Sequence, residues 1–261
     1  MIEITGVSKA YGRQYVLKDV HWRVQAGEFW GLIGPNGSGK TTLLNLISGV
    51  EQPDTGSIKL DGEPLPSYTR KSLSRKMAVL QQDGLPRVAY PVREVVEMGR
   101  FPYQDWRGRE KHEDNVRLVE GIMEKLELTE LADRPLSVLS GGQRQRAALG
   151  KVMAQQPELV LLDEPTTYLD LRYQIQFMEL IADWQKQDGL TVVSVLHDLN
   201  LAALFCDQLL VISEGRIVTQ GPPDEVLTEK MIEEVFGVKS HLVVHPDTKT
   251  PQLLLQRAIE T

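Results

Sequence analysis

Eight residues, Gly34-Pro-Asn-Gly-Ser-Gly-Lys-Thr41, have the types and spacing needed to hold a chain of phosphates. They fit G-x-x-x-x-G-K-[ST], with Gly34, Gly39, Lys40 and Thr41 at the defining places. Glycines let the backbone curl so that successive N–H groups converge on one anion. Lys40 adds a full charge for the outer phosphates, and the Thr41 hydroxyl can bind Mg²⁺. The bland alternative is a glycine-rich turn. Both flanks argue against it, since Phe29-Trp-Gly-Leu-Ile33 reads as a strand and Thr41–Ile47 as a helix whose N-terminus favours anions.

Two further apolar runs end in reactive residues. Leu159–Leu162 is followed by Asp163-Glu164, and Thr191–Leu196 by His197. In an open α/β sheet, ligands sit beyond the carboxyl ends of the strands. Asp163 suits a carboxylate that holds Mg²⁺, and its neighbour Glu164 suits a base toward a water. Alone, such an acid pair reads equally as a solvated strand end or a helix cap. His197 alone reads as a structural histidine; at a strand end in this company, contact with the terminal phosphate or the water is the better reading. Gln82, after the Lys76–Leu80 strand, can offer an uncharged amide to Mg²⁺ and to the water, with Gln81 as its rival. A second anion cradle is Leu139-Ser-Gly-Gly-Gln143, which opens a helix; for a lone S-G-G, a plain N-cap at Ser140 is the alternative.

The elements that position these groups follow from periodicity. Residues 2–25 and 57–62 alternate as short strands and predict an antiparallel β layer. Helical periodicity over Val92–Met98, Arg109–Leu126 and Gln143–Gln155 predicts a helical insertion. After Pro157 the α/β alternation returns, with a helix over Leu171–Gln187 and another over Leu199–Phe205. A hairpin around Glu214-Gly215, a helix over Leu227–Phe236 and a final hairpin over His241–His245 and Leu253–Leu255 complete the chain. The predicted fold class is α/β: a P-loop core sheet flanked by helices, with an N-terminal antiparallel β layer and a helical subdomain. One domain is expected over 1–261, with 1–84 and 156–236 as core and β layer, about 85–155 as helical subdomain and 237–261 as tail hairpin.

Bulk properties exclude several classes. The 261 residues are 41% hydrophobic and 25% charged, ordinary for a globular protein. No apolar run nears the ~20 residues of a membrane helix, and Met1-Ile-Glu-Ile-Thr5 reads as a strand rather than a signal peptide. The lone Cys206 forbids an internal disulfide. A net charge of −7 speaks against nucleic acid as the partner.

Taken together, these residues resemble the ATP-binding subunits of ABC transporters, over essentially the whole chain and in the family's order. Gly34–Thr41 resembles Walker A, Gln82 the Q-loop glutamine, Leu139–Gln143 the LSGGQ signature and Leu159–Glu164 Walker B with its catalytic glutamate. Thr166–Asp170 resembles the D-loop, His197 the switch histidine, and Tyr11 the aromatic that stacks on adenine. The resemblance implies ATP and Mg²⁺ as cofactors. It implies nucleotide contacts from Tyr11, Gly34, Asn36, Gly37, Ser38, Gly39, Lys40, Thr41, Thr42, Ser140, Gly141, Gly142, Gln143 and Asp170. Thr41, Gln82 and Asp163 would face Mg²⁺, and Glu164, His197 and Gln82 would serve hydrolysis. It further implies a head-to-tail homodimer in which each ATP lies between Walker A of one copy and the signature of the other. A transmembrane permease and an external substrate-binding protein complete the expected assembly, on the cytoplasmic face of the membrane.

Met98-Gly-Arg-Phe-Pro-Tyr103 is similar to a stretch in subunits serving importers of iron–siderophores, haem and cobalamin. Tyr168 and Gly150-Lys151 depart from that group's usual residues. Two other classes share the motifs: a soluble ATPase acting on ribosomes or DNA, and an efflux ATPase. The acidic charge and the single motif set weigh against the first; only the Met98–Tyr103 stretch and smaller similarities weigh against the second.

Overall fold

The computed structural model describes residues 1–82, 85, 88–105, 112–167 and 169–256, with side chains at 112–114 left aside. In chain order the first elements are β1 (Ile2–Tyr11), β2 (Gln14–Val24), β3 (Phe29–Ile33), α1 (Lys40–Ile47), β4 (Thr55–Leu60) and β5 (Glu63–Pro64). Next come α2 (Arg70–Lys76), β6 (Met77–Leu80), α3 (Val92–Glu97), a 3-10 segment at Met98–Tyr103, α4 (His112–Lys125), α5 (Gly141–Ala154) and β7 (Leu159–Asp163). The remainder is α6 (Leu171–Asp188), β8 (Thr191–Val195), α7 (Leu199–Phe205), β9 (Gln208–Ser213), β10 (Arg216–Gly221), α8 (Pro223–Val226), α9 (Glu229–Phe236), β11 (Ser240–Val244) and β12 (Pro251–Leu255). The chain divides into two compact units, Met1–Ser67 with Ala182–Thr261, and Tyr68–Ile181.

The first unit holds the expected antiparallel layer, in the order β2-β1-β4-β5. It also holds β3 between two parallel neighbours: Phe29–Leu32 pair with Val192–Val195 of β8, and Trp30–Ile33 with Gln208–Val211 of β9. Every residue of β3 and β8 is buried, as parallel strands covered on both faces must be. Trp22 of β2 meets Trp30 of β3 edge to face, with ring centroids 5.3 Å apart, which fastens the antiparallel layer to the parallel strands. β9 and β10 form the expected hairpin, with Glu214 and Gly215 both at positive φ in the turn.

The second unit pairs β6 with β7 in parallel, Met77–Leu80 against Leu159–Leu162. Around them run α2 to α5, with Ala147, Ala148, Leu149, Val152 and Met153 of α5 buried in the stripe that periodicity places there. Gly150 is buried where α3 and the end of α4 come close: a Cβ there would stand 3.1 Å from both Val96 of α3 and Leu126, the residue after α4. The glycine at this position therefore has a packing reason.

Two sequence expectations are corrected. Lys76 ends helix α2 rather than opening a strand, and α2 itself is absent from the periodicity because none of its residues is buried. The helix expected from Leu227 starts at Glu229, since Thr228 is its N-cap and accepts from the Met231 N–H at 3.1 Å. The helix expected from Arg109 is described from His112 onward, and Arg109 lies outside the described residues.

Candidate active site

The phosphate loop of the first unit is shaped by its glycines. Gly34 has φ 151°, and a Cβ there would stand 2.0 Å from the Ile212 carbonyl oxygen, so only glycine lets β3 turn into the loop beside β9. Lys40 opens α1, is 6% exposed, and donates through Nζ to the Gly34 and Pro35 carbonyls at 2.9 Å each. The ammonium thus ties the end of the loop back to its first two residues. The Ser38 N–H donates to Pro35 O at 3.2 Å. The Ser38 hydroxyl is buried without a hydrogen-bond partner, a state that costs about 1–3 kcal/mol and that a phosphate oxygen would relieve. Asn36, Gly37 and Thr41 are exposed, and Thr42 is half-buried.

Tyr11 ends β1, and its hydroxyl donates to Glu51 Oε2 at 2.5 Å. The bond to Glu51 raises the phenol's pKa, and a contact with Thr42 lowers it in part. That contact sets Tyr11 beside the start of α1, where a base attached to a loop-bound phosphate chain could meet its half-exposed ring. Sequence reasoning missed Glu51, forty residues away in the chain, because a lone acid after a helix carries no local signal. His197 is exposed, two residues beyond the end of β8 at Val195.

The second unit brings Gln82 and Glu164 together. Gln82 Nε2 donates to Glu164 Oε2 at 2.6 Å, and Thr167 Oγ1 donates to the same oxygen at 3.3 Å. This distinguishes Gln82 from Gln81. Glu164 follows β7 at φ 51°, a left-handed conformation that turns the chain sharply after half-buried Asp163. Such strained positions concentrate at sites of chemistry. The amide nitrogen of Gln82 is engaged by Glu164, so its carbonyl oxygen is the atom suited to a cation. The Thr41 hydroxyl of the first unit and the Gln82 amide oxygen and Asp163 carboxylate of the second are each hard oxygen donors of the kind Mg²⁺ takes, and Mg²⁺ needs few protein ligands when phosphates supply the rest. Among the described residues no cluster of three or more His, Cys, Asp or Glu could hold a metal by itself.

The Ser-Gly-Gly-Gln segment caps α5. Ser140 Oγ accepts from the Gln143 N–H at 3.3 Å, while Gln143 Oε1 accepts from the Ser140 N–H at 2.9 Å, a reciprocal capping box. Nothing lies within 4 Å of the place a Gly141 Cβ would take, so the loop's outer face is open. Gly142 is backed by the Tyr173 ring of α6, a neighbour not foreseen in the sequence. Gln145 Nε2 donates to Pro165 O at 2.9 Å, tying α5 to the turn after Glu164. Asp170 caps α6 by accepting from the Tyr173 N–H at 3.0 Å. Tyr168 lies outside the described residues.

Met98–Tyr103 turns out to be a clamp. Arg100 is 7% exposed; it donates to Ala154 O at 2.7 Å, to Gln156 Oε1 at 2.8 Å and to Asn115 Oδ1 at 3.2 Å, and stacks 4.0 Å from the Tyr103 ring centre. Tyr103 in turn donates to Gln155 O at 3.0 Å. Gly99 fits because a Cβ would stand 2.1 Å from Lys151 O. Gly99→Ala is therefore expected to destabilise the fold by about 1–3 kcal/mol, the usual cost of overpacking. A thermal melt would register this as a midpoint lower by several degrees; an unchanged midpoint would refute the close approach.

Residues 17–167 match the profile of the ABC transporter family. The chain is 39% identical, over 92% of its own length and 89% of the relative's, to the ferric enterobactin transport ATP-binding protein of Escherichia coli (strain K12). It is 38% identical over 96% of its length to an uncharacterized ABC transporter ATP-binding protein of Bacillus subtilis (strain 168), and spans 57% of that longer protein. Among solved structures it is similar, at 30% identity and a TM-score of 0.75, to an ATP-binding cassette seen as a dimer in a post-hydrolysis state with ADP and Pi bound; the match covers 85% of this chain and 98% of that one.

Proposed function

We propose, from the premise that this chain belongs to the ABC transporter family, that it is the ATP-hydrolysing subunit of an importer for an iron–siderophore, haem or cobalamin-type metal chelate. The bond between Gln82 and Glu164 carries the hydrolytic part of this reading. It holds a carboxylate beside an uncharged amide, one suited to take a proton from water and the other to face a cation without altering the charge. Lys40, Ser38 and the loop N–H groups of Asn36, Gly37 and Gly39 take the phosphates. Thr41, Asp163 and the Gln82 carbonyl oxygen face Mg²⁺, which would neutralise charge on the phosphates. Thr42 lies at the same helix start, Tyr11 stacks on adenine, and His197 contacts the terminal phosphate or its water.

Ser140, Gly141, Gly142, Gln143 and Asp170 serve the nucleotide of a second copy. The open face at Gly141 leaves room for such a ligand. The homodimer is then a two-fold pair with two shared sites. ATP acts only through its greater affinity for the closed pair. Residues 85–155 form the helical subdomain of this reading, 1–84 and 156–236 the core, and 237–261 the tail.

Among the described residues no helix is long and apolar enough to cross a membrane, so the reading requires a separate permease, fed by an external binding protein. The chain would then be peripheral, on the cytoplasmic face. The substrate class rests on the enterobactin relative and on Met98–Tyr103, whose clamp holds Phe101 57% exposed.

The test is uptake of radiolabelled ferric siderophore, haem and cobalamin in a strain lacking this chain. Uptake of one of them should fall to background and return with the wild-type chain but not with Lys40→Ala. Unchanged uptake of all three would overturn the substrate class, and accumulation of a toxic compound on deletion would point to efflux instead.

A further inference from the structure

The C-terminal hairpin β11–β12 docks on α7, the helix that follows His197 in the chain. The contact is specific. The Asn200 side chain accepts from the Leu253 N–H at 2.6 Å and donates to the Leu253 carbonyl at 3.3 Å. A carboxamide, with its donor and acceptor side by side, thus takes the place of a neighbouring strand and closes the outer edge of β12. The hairpin is also held from α9, where Glu229 Oε1 accepts from the Leu242 N–H at 3.3 Å and stands 3.2 Å from His241 Nδ1.

Asn200 lies three residues beyond His197. Between them, Asp198 caps α7 by accepting from the Asn200 N–H at 2.8 Å and the Leu201 N–H at 3.1 Å. On the other side, the Leu196 N–H donates to Leu32 O of β3 at 3.1 Å. His197 therefore sits on a short span of backbone fixed at one end by β3 and at the other by β12. Its side chain is exposed, so core packing does not aim the ring, and the backbone that carries it bears on its direction.

We infer that Asn200, clamped to Leu253, is a positioning residue for His197, so that the C-terminal hairpin supports the chemistry of ATP hydrolysis. This rests on the reading of His197 as a group facing the terminal phosphate. If the clamp only moored the tail, its loss would lower stability and leave turnover untouched. A positioning role moves turnover, because small misplacements of a catalytic group are costly in rate.

Phosphate release by the purified full-length chain decides between them. Asn200→Ala is expected to lower kcat roughly tenfold with the KM for ATP held within about twofold. Leu253→Pro removes the N–H that Asn200 accepts from, on an edge that tolerates proline, and should reproduce the loss without touching α7. Combining Asn200→Ala with His197→Ala should be no slower than His197→Ala alone. Wild-type kcat in both Asn200→Ala and Leu253→Pro, beside a slow His197→Ala, would overturn the inference and leave the site intact. Multiplicative losses in the double variant would overturn it as well. Wild-type turnover in His197→Ala would instead remove the site reading on which it stands.

Discussion

Lys40→Ala is expected to lower ATP hydrolysis at least about a hundredfold, the scale on which one preorganised electrostatic contact acts in a reaction that develops charge. Two effects add. The ammonium would be lost from the phosphates, where charge-assisted bonds are about twice as strong as neutral ones. Gly34 O would also lose this donor and Pro35 O one of its two, and the loop would lose the tie from its end to its start. Nucleotide affinity should therefore fall together with kcat. The fold should survive, because the loop glycines and the buried strand β3 do not depend on the ammonium. Nucleotide titration, phosphate release and a thermal melt on one preparation separate these terms. A variant that melts normally and turns over at the wild-type rate would show that Gly34–Thr41 is only a turn.

Residues of the phosphate loop were legible because the physics is local. A strand, a curl and a helix N-terminus must follow one another within a dozen residues, and glycine is demanded where the φ of Gly34 reaches 151°. Asp163 and Glu164 were legible for the same reason, at the end of a strand apolar on both faces. What escaped was non-local or polar. The choice between Gln81 and Gln82 turns on a contact 82 residues away, with Glu164. Glu51 and Tyr173 touch Tyr11 and Gly142 across shorter but still non-local stretches of chain. Helix α2 escaped because it buries nothing. It is held by the Thr69 cap and by Lys71 and Arg75 donating to the Gln104 and Pro102 carbonyls, none of which leaves a periodic trace. Met98–Tyr103 was singled out for its similarity to a transporter group, yet five polar and aromatic contacts give most of it a structural purpose. Phe101 is left as the member of that stretch turned to solvent.

Glu164→Gln separates binding from chemistry more cleanly than any other change. The replacement keeps the size of the side chain, and its amide oxygen can still accept from Gln82 Nε2 and Thr167 Oγ1, the two donors that now hold the carboxylate. The turn at φ 51° is a backbone property and need not change. Lost is the basicity, since an amide cannot take a proton from water. Removing a general base typically costs 10²–10⁴-fold, so kcat should fall by about that range while ATP affinity stays near wild type. If ATP joins two copies and its cleavage releases them, a variant that binds without cleaving must accumulate as a pair. Gel filtration should then show a dimer in ATP and a monomer in ADP, with the wild type dimerising only transiently. The same logic constrains Gln82→Ala. It frees Glu164 Oε2 from its 2.6 Å bond without removing the base, so its loss of rate should be smaller than that of Glu164→Gln. Wild-type turnover in Glu164→Gln would dismiss this carboxylate as the base. Slow turnover without an ATP-dependent pair would keep the base and dismiss the nucleotide as the bridge.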